Sequence, residues 1–155
     1  MPDAGSSAQP VVIAGIDGSA ESASALRWAA AVATSFGGHV EVIAAWEYPA
    51  SFGFSTVPED WDPIADMRKV ADETVAAVFG GSPPAGLVIS IREGGAARVL
   101  VEASAAAAMV VVGSRGHGGF SGLLLGSVSA SVAEHAACPV LIVHGDKPVP
   151  AHTPA

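Results

Sequence analysis

The stretch VVGSRGHGGFSGLLLGS, residues 111–127, places Gly113, Gly116, Gly118, Gly119, Gly122 and Gly126 between an apolar run and a helical pattern. Its only cation is Arg115, and it has no lysine. Glycine costs conformational entropy wherever it is ordered, so this density asks what must approach the backbone so closely. One answer is an anion. Gly126-Ser127 opens a helix, and a helix N-terminus offers unpaired N–H donors and a partial positive charge. Glycines just upstream let successive amides curl into a nest, and Ser127 and Ser129 add hydroxyl donors. Phosphate binding is the chemistry suited to this arrangement. The competing reading is a flexible loop whose glycines only make turns.

A second group lies at the end of the first apolar run, Gly15-Ile16-Asp17-Gly18-Ser19. Asp17 either caps the turn by accepting from nearby N–H groups, or accepts hydrogen bonds from a ligand such as ribose hydroxyls. Arg115 either pairs with a phosphate or is solvated. Known motifs are informative by their absence. The chain has no GxxxxGK[ST], no GxGxxG after the first strand and no GxSxG elbow. With little built-in charge for a transferring phosphoryl group, fast hydrolysis is not expected.

These groups need a scaffold. Five apolar runs have strand length: residues 10–17, 39–46, 86–91, 108–114 and 139–144. They are rich in Val and Ile, and VVVGS lacks alternation, as expected of a strand covered on both faces. Helical patterns alternate with them. Residues 20–36 follow Ser19 as N-cap, with Glu21 in the first turn and Leu26, Ala30, Ala33 and Gly37 on one face. Residues 63–79 start with Asp62-Pro63, carry the stripe Ile64, Met67, Ala71, Val75, Val78 and an Arg68/Asp72 pair, and stop at Gly80-Gly81. Residues 95–106 and 127–137 complete four helices. Such alternation predicts an α/β fold, a doubly wound parallel sheet with helices on both faces. Ligands bind beyond the carboxyl ends of such strands, where Asp17 and the glycine stretch fall.

Composition bounds the function. The 155 residues are half hydrophobic and predict one domain over 10–145, with small, polar or proline-rich tails at 1–9 and 146–155. The net charge of −8, from 7 basic and 15 acidic residues, argues against nucleic acid and anionic membranes as partners. No apolar run reaches the ~18 residues of a membrane span. MPDAGSSAQP lacks the basic and apolar regions of a signal peptide, so the expected location is cytoplasmic. Cys138, the only cysteine, excludes an internal disulfide and reads as a small buried residue, with a catalytic thiol as the competing reading. His39, His117, His135, His144 and His152 show no metal pattern. Five of nine aromatics, Trp46, Tyr48, Phe52, Phe54 and Trp61, fall between residues 46 and 61. They either pin a long loop to the core or form a flap or partner surface.

The sequence resembles the universal stress proteins of the nucleotide-binding kind, whose signature is G-x2-G-x9-G-[ST]. Here it reads Gly113, Gly116, Gly126, Ser127, supported by IDGS, GSVSASV and CPVLIV. The resemblance covers residues 10–144. It implies a Rossmann-like fold of the adenine nucleotide alpha hydrolase type, five parallel strands in the order 3-2-1-4-5 with four helices. It implies ATP, with magnesium or manganese as a triphosphate generally recruits, across the ends of the first and fourth strands. Gly15, Ile16 and Asp17 would line the adenosine side, with Asp17 on the ribose, and Ala45 would meet adenine through its backbone. Val112 and Gly113 would flank the nucleotide, and Gly116, Gly126, Ser127, Val128 and Ser129 would hold the phosphates, with Arg115 beside them. The resemblance further implies a homodimer through the edge strand Val140–Val143. The expected function is a nucleotide-dependent binding module in a stress response, acting on a protein partner the sequence does not name. The alternatives are a slow ATPase, a sensor of cyclic AMP or another adenine nucleotide, and a dimeric member that binds none.

Overall fold

The computed structural model describes residues 8–49, 57–116 and 125–151. Five parallel strands, β1 (Val11–Gly15), β2 (His39–Trp46), β3 (Val88–Glu93), β4 (Met109–Gly113) and β5 (Val140–Val143), form one sheet in the order β3-β2-β1-β4-β5. Four helices connect them: α1 (Ala20–Phe36), α2 (Pro63–Phe79), α3 (Ala96–Ser104) and α4 (Ser127–His135). The fold is the doubly wound sheet expected from the alternating pattern, in the strand order the resemblance implies.

Alternation along each strand feeds two apolar layers. Val12 and Ala14 of β1, with Val40 and Val42 of β2, pack against Leu26 and Ala29 of α1 and Ala71 and Val75 of α2. Ile13, Ile43, Val110 and Val112 face the other way, onto Val99 and Leu100 of α3 and Val132 of α4. Both faces of β1 and β4 are therefore covered, which explains their unbroken apolar sequence.

Local chemistry sets the ends of α1 and α2. Ser22 N donates to the Ser19 side chain at 3.1 Å, and Ala65 N to Asp62 Oδ1 at 3.0 Å. Gly37 closes α1 in the left-handed region at φ 67°. Arg68 and Asp72 pair at 3.5 Å on the exposed face of α2. Ile64, expected in the stripe of α2, is instead 54% exposed. The buried stripe of α2 starts one turn later, at Met67, and runs through Val70, Ala71, Thr74 and Val75.

Tertiary contacts set the other ends. β3 starts two residues later than expected, because Gly86 turns at φ 80°. It continues to Glu93, which lies opposite Trp46 at the end of β2. α3 and α4 each stop two residues earlier than expected. The Ser104 hydroxyl donates to Val101 O at 2.6 Å and accepts from Ala137 N at 2.8 Å, linking the last turn of α3 to the exit of α4. Beyond β5 the chain passes α1, where Trp28 Nε1 donates to Lys147 O at 2.9 Å.

Trp46, Tyr48 and Trp61 meet edge to face, with centroids 5.3, 5.3 and 6.1 Å apart. The cluster joins the chain on either side of residues 50–56. Phe52 and Phe54 lie outside the described residues. Cys138 is only half-buried rather than fully packed, because it leads into an edge strand with a neighbour on one side only. Burial pushes its thiol up from the ordinary range, opposed by a hydrogen bond with the backbone of Val110.

Candidate functional site

β1 and β4 are neighbours, but the chain leaves them in opposite directions: α1 lies on one face of the sheet and α4 on the other. A crevice opens at the carboxyl ends of strands where such a reversal occurs. Here it has a volume of about 600 Å³.

Gly15, Ile16 and Asp17 form its β1 side. Ile16 N extends the ladder by donating to Ile43 O at 2.9 Å. The chain then turns, with Asp17 Oδ1 accepting from Ser19 N at 2.9 Å. The turn-capping role weighed for Asp17 is therefore present, and Asp17 also lines the crevice.

The β4 side is built around Ser114. Its N–H donates to Val143 O at 2.8 Å, continuing the β4–β5 ladder. Its carbonyl accepts from Gly126 N at 2.6 Å and from Ser129 Oγ at 2.8 Å. The two ends of the segment between β4 and α4 are thus fastened together. The start of α4 follows directly: Gly126 is its N-cap and supplies no side-chain hydrogen bond to the first turn. The amides of Ser127, Val128 and Ser129 therefore open α4 without the side-chain cap that α1 and α2 possess. Ser127 is exposed, whereas Ser129 is buried and its hydroxyl is engaged with Ser114 O and Gly126 O. Ser129 shapes this wall through its hydroxyl bonds.

Side chains are missing here for an internal reason too. A Cβ on Gly113 would stand 2.9 Å from Glu21 Cβ and 3.1 Å from its carbonyl carbon, and one on Gly116 would collide with the Asp17 carboxylate. A Cβ on Gly126 would stand 3.4 Å from Arg115 Cα. The glycine spacing thus lets β4 and its loop close onto α1, whatever else approaches. Glu21 is the residue that sequence reasoning missed in this role. Its Oε2 accepts from Arg115 N at 2.7 Å and Ser114 Oγ at 3.1 Å.

All twelve positions singled out from the sequence meet around this one crevice: Gly15, Ile16, Asp17, Ala45, Val112, Gly113, Arg115, Gly116, Gly126, Ser127, Val128 and Ser129. It also takes in Ser22, Ile43, Met67, Ala96, Leu100, Leu125 and Ala130. Met67 had a signal, since it opens the buried stripe of α2. Ala96 and Leu100 had one in their place just after the third strand. The β2 end, with Ile43, Ala45, Met67 and Leu100, is apolar and suits a flat ring. The β4 end presents backbone amides and Ser127, facing Asp17 on the β1 side. The crevice's charged lining side chains among the described residues are Asp17 and Arg115.

Several other residues noted in the sequence lie elsewhere. Trp46, Tyr48, Trp61, His39, His135 and His144 do not line the crevice. Gly118, Gly119, Gly122, His117 and His152 lie outside the described residues. Among the described residues no three His, Cys, Asp or Glu gather as metal ligands, and no helix is long and apolar enough to cross a membrane.

A doubly wound parallel sheet with a ligand-sized crevice at its topological switch defines a class of α/β binding domains. Comparison with known proteins narrows it. The family model described as "Universal stress protein family" matches residues 10–144, and the chain belongs to that family. A universal stress protein of Mycolicibacterium smegmatis is 38% identical over 141 residues, 87% of this chain and 48% of that protein. The chain spans about half the length of the curated relatives it matches. Among solved structures, a universal stress protein in complex with cAMP is 27% identical with a TM-score of 0.62, covering 89% of this chain and 99% of that one. The UspA protein of Lactobacillus plantarum, 16% identical, has a TM-score of 0.68 over 88% of this chain and 98% of its own, and shows the shared fold.

Proposed function

We propose that the protein is an adenine-nucleotide-binding regulatory module, with ATP as its ligand, acting in a stress response rather than as a fast enzyme. The observation that carries this reading is the start of α4, whose first-turn amides lack a side-chain cap and border the crevice opposite Asp17. Such an end favours phosphate oxygens through direct hydrogen bonds and the helix dipole. The glycines alone do not carry it, since contact with Glu21 and Asp17 already requires Gly113 and Gly116 to be bare. In this reading adenine occupies the apolar β2 end against Ala45 and Met67. Asp17 accepts from the ribose hydroxyls, and Gly116, Gly126, Ser127 and Val128 meet the phosphates. A magnesium or manganese ion accompanying ATP would be held chiefly by the phosphate oxygens.

Cyclic AMP is the second reading, favoured by the 27% identical relative whose structure is a complex with cAMP. Isothermal titration of protein stripped of copurified ligand with ATP, ADP, AMP and cyclic AMP tests both. Heat with ATP supports the first reading, and heat with cyclic AMP alone supports the second. No heat with any of them overturns nucleotide binding. Slow ATPase activity would appear as phosphate release that ends with Gly116→Trp.

A homodimer acting in the cytoplasm completes this reading: β5 lies at an edge of the sheet, where Val140–Val143 can pair with a second copy. Two copies of this chain would match the length of the relatives of which it spans half. Nucleotide occupancy would then alter the surface offered to a protein partner.

A further inference from the structure

Of the amides at the β4 end, that of Arg115 is already taken. It donates to Glu21 Oε2 at 2.7 Å, and the Ser114 hydroxyl donates to the same oxygen at 3.1 Å. Glu21 belongs to the first turn of α1 and does not line the crevice. It is held close because Gly113 lets β4 run against it, leaving 2.9 Å between the Glu21 Cβ and the place a Cβ on Gly113 would occupy. Two opposing fields therefore act on one wall. The uncapped start of α4 favours negative charge there. A carboxylate hydrogen-bonded to the same segment from behind opposes it.

We propose that Glu21 is a positioning residue that sets the charge of ligand the crevice accepts. By withdrawing the Arg115 amide and placing a carboxylate behind the phosphate wall, it holds down the preference for a triphosphate relative to a singly charged phosphodiester. This inference rests on the nucleotide reading and specifies which phosphates that site favours. A cyclic nucleotide carries about one negative charge to this wall, and ATP carries several. Coulomb repulsion grows with that number, so Glu21 handicaps ATP more than cyclic AMP. A single charge several ångströms away in a partly solvated site is worth roughly tenfold in affinity, less at high salt.

The test is titration of ATP and cyclic AMP, without divalent cations and at one low ionic strength, into wild type, Glu21→Gln, Glu21→Ala and Glu21→Asp. Thermal melts establish that each variant is folded. Glutamine keeps an oxygen acceptor for Arg115 and Ser114, whereas alanine removes the side chain, so either variant serves if the other fails to fold. The expected result is a roughly tenfold rise in the ATP-to-cyclic-AMP affinity ratio for Gln and Ala, and a change within about twofold for Asp, which keeps the charge. A general weakening of the fold would lower both affinities together and leave the ratio unmoved. An unmoved ratio in Gln and Ala overturns the proposal, and so does an equal shift in Asp. Wild type that binds neither nucleotide overturns the nucleotide reading as well, a result distinct from bound nucleotides whose ratio ignores residue 21.

Discussion

Gly113 and Asp17 give separate tests of packing and recognition. A methyl group at Gly113 meets not only Glu21 Cβ but the Glu21 carbonyl carbon and oxygen at 3.1 and 3.2 Å, and backbone in a helix cannot swing aside. Gly113→Ala is expected to cost about 1–3 kcal/mol, seen as a melting temperature lower by several degrees, with or without nucleotide. Asp17→Asn should behave oppositely. Its Oδ1 can still accept from Ser19 N, so that capping bond survives the change. Replacing a charged acceptor at the ribose should weaken nucleotide binding roughly tenfold or more. Unchanged affinity in titration would remove Asp17 from the sugar. The glycines, Asp17 at a strand end and the helix start at Ser127 could be read from the sequence because their chemistry is local, whereas Ala45, Val112 and Val128 follow only from the family resemblance. The role of Glu21 could not be read, because its hydrogen bonds span 93 and 94 residues. From its neighbours in sequence it is merely an acid suited to a helix N-terminus.

Helices and strands differ in how much of their extent the sequence carries. α1 and α2 begin and end where the residues predict, because Ser19, Asp62, Gly37 and Gly80 act on the turns beside them. β3 starts and ends two residues late, since Gly86 turns before it and its far end follows the pairing with β2. α3 and α4 stop two residues short of their expected ends, where a bond spanning 33 residues, from Ala137 N to the Ser104 hydroxyl, links the two exits. Ile64 was misread because periodicity marks a face without showing where along the helix the sheet stops covering it. The capping contribution can be measured. Ser19→Ala removes the acceptor for Ser22 N and should cost about 1 kcal/mol in chemical denaturation. The crevice should also suffer, since α1 anchors both Asp17 and Glu21. A variant as stable as wild type would mean that water or a neighbouring group replaces the cap.

A sheet with β5 at one edge leaves a row of backbone donors and acceptors that a second molecule can extend. Ile142→Lys places a charge on that strand, where Ile142 packs partly buried against the layer of α3 and α4; in protein shown by thermal melt to be folded, it should shift the dimer toward the 15.3 kDa monomer in sedimentation. If the nucleotide site is complete within one chain, titration of the monomeric variant should give nearly the wild-type affinity. A wild-type monomer in sedimentation would end the dimer proposal. At the other face of α1, the bond from the Trp28 indole to the carbonyl of Lys147 has a spectroscopic consequence. Release of the carboxyl-terminal segment would free that indole to water and shift its emission to the red, so with Trp46 and Trp61 replaced by phenylalanine the protein carries its own fluorescent gauge of tail docking.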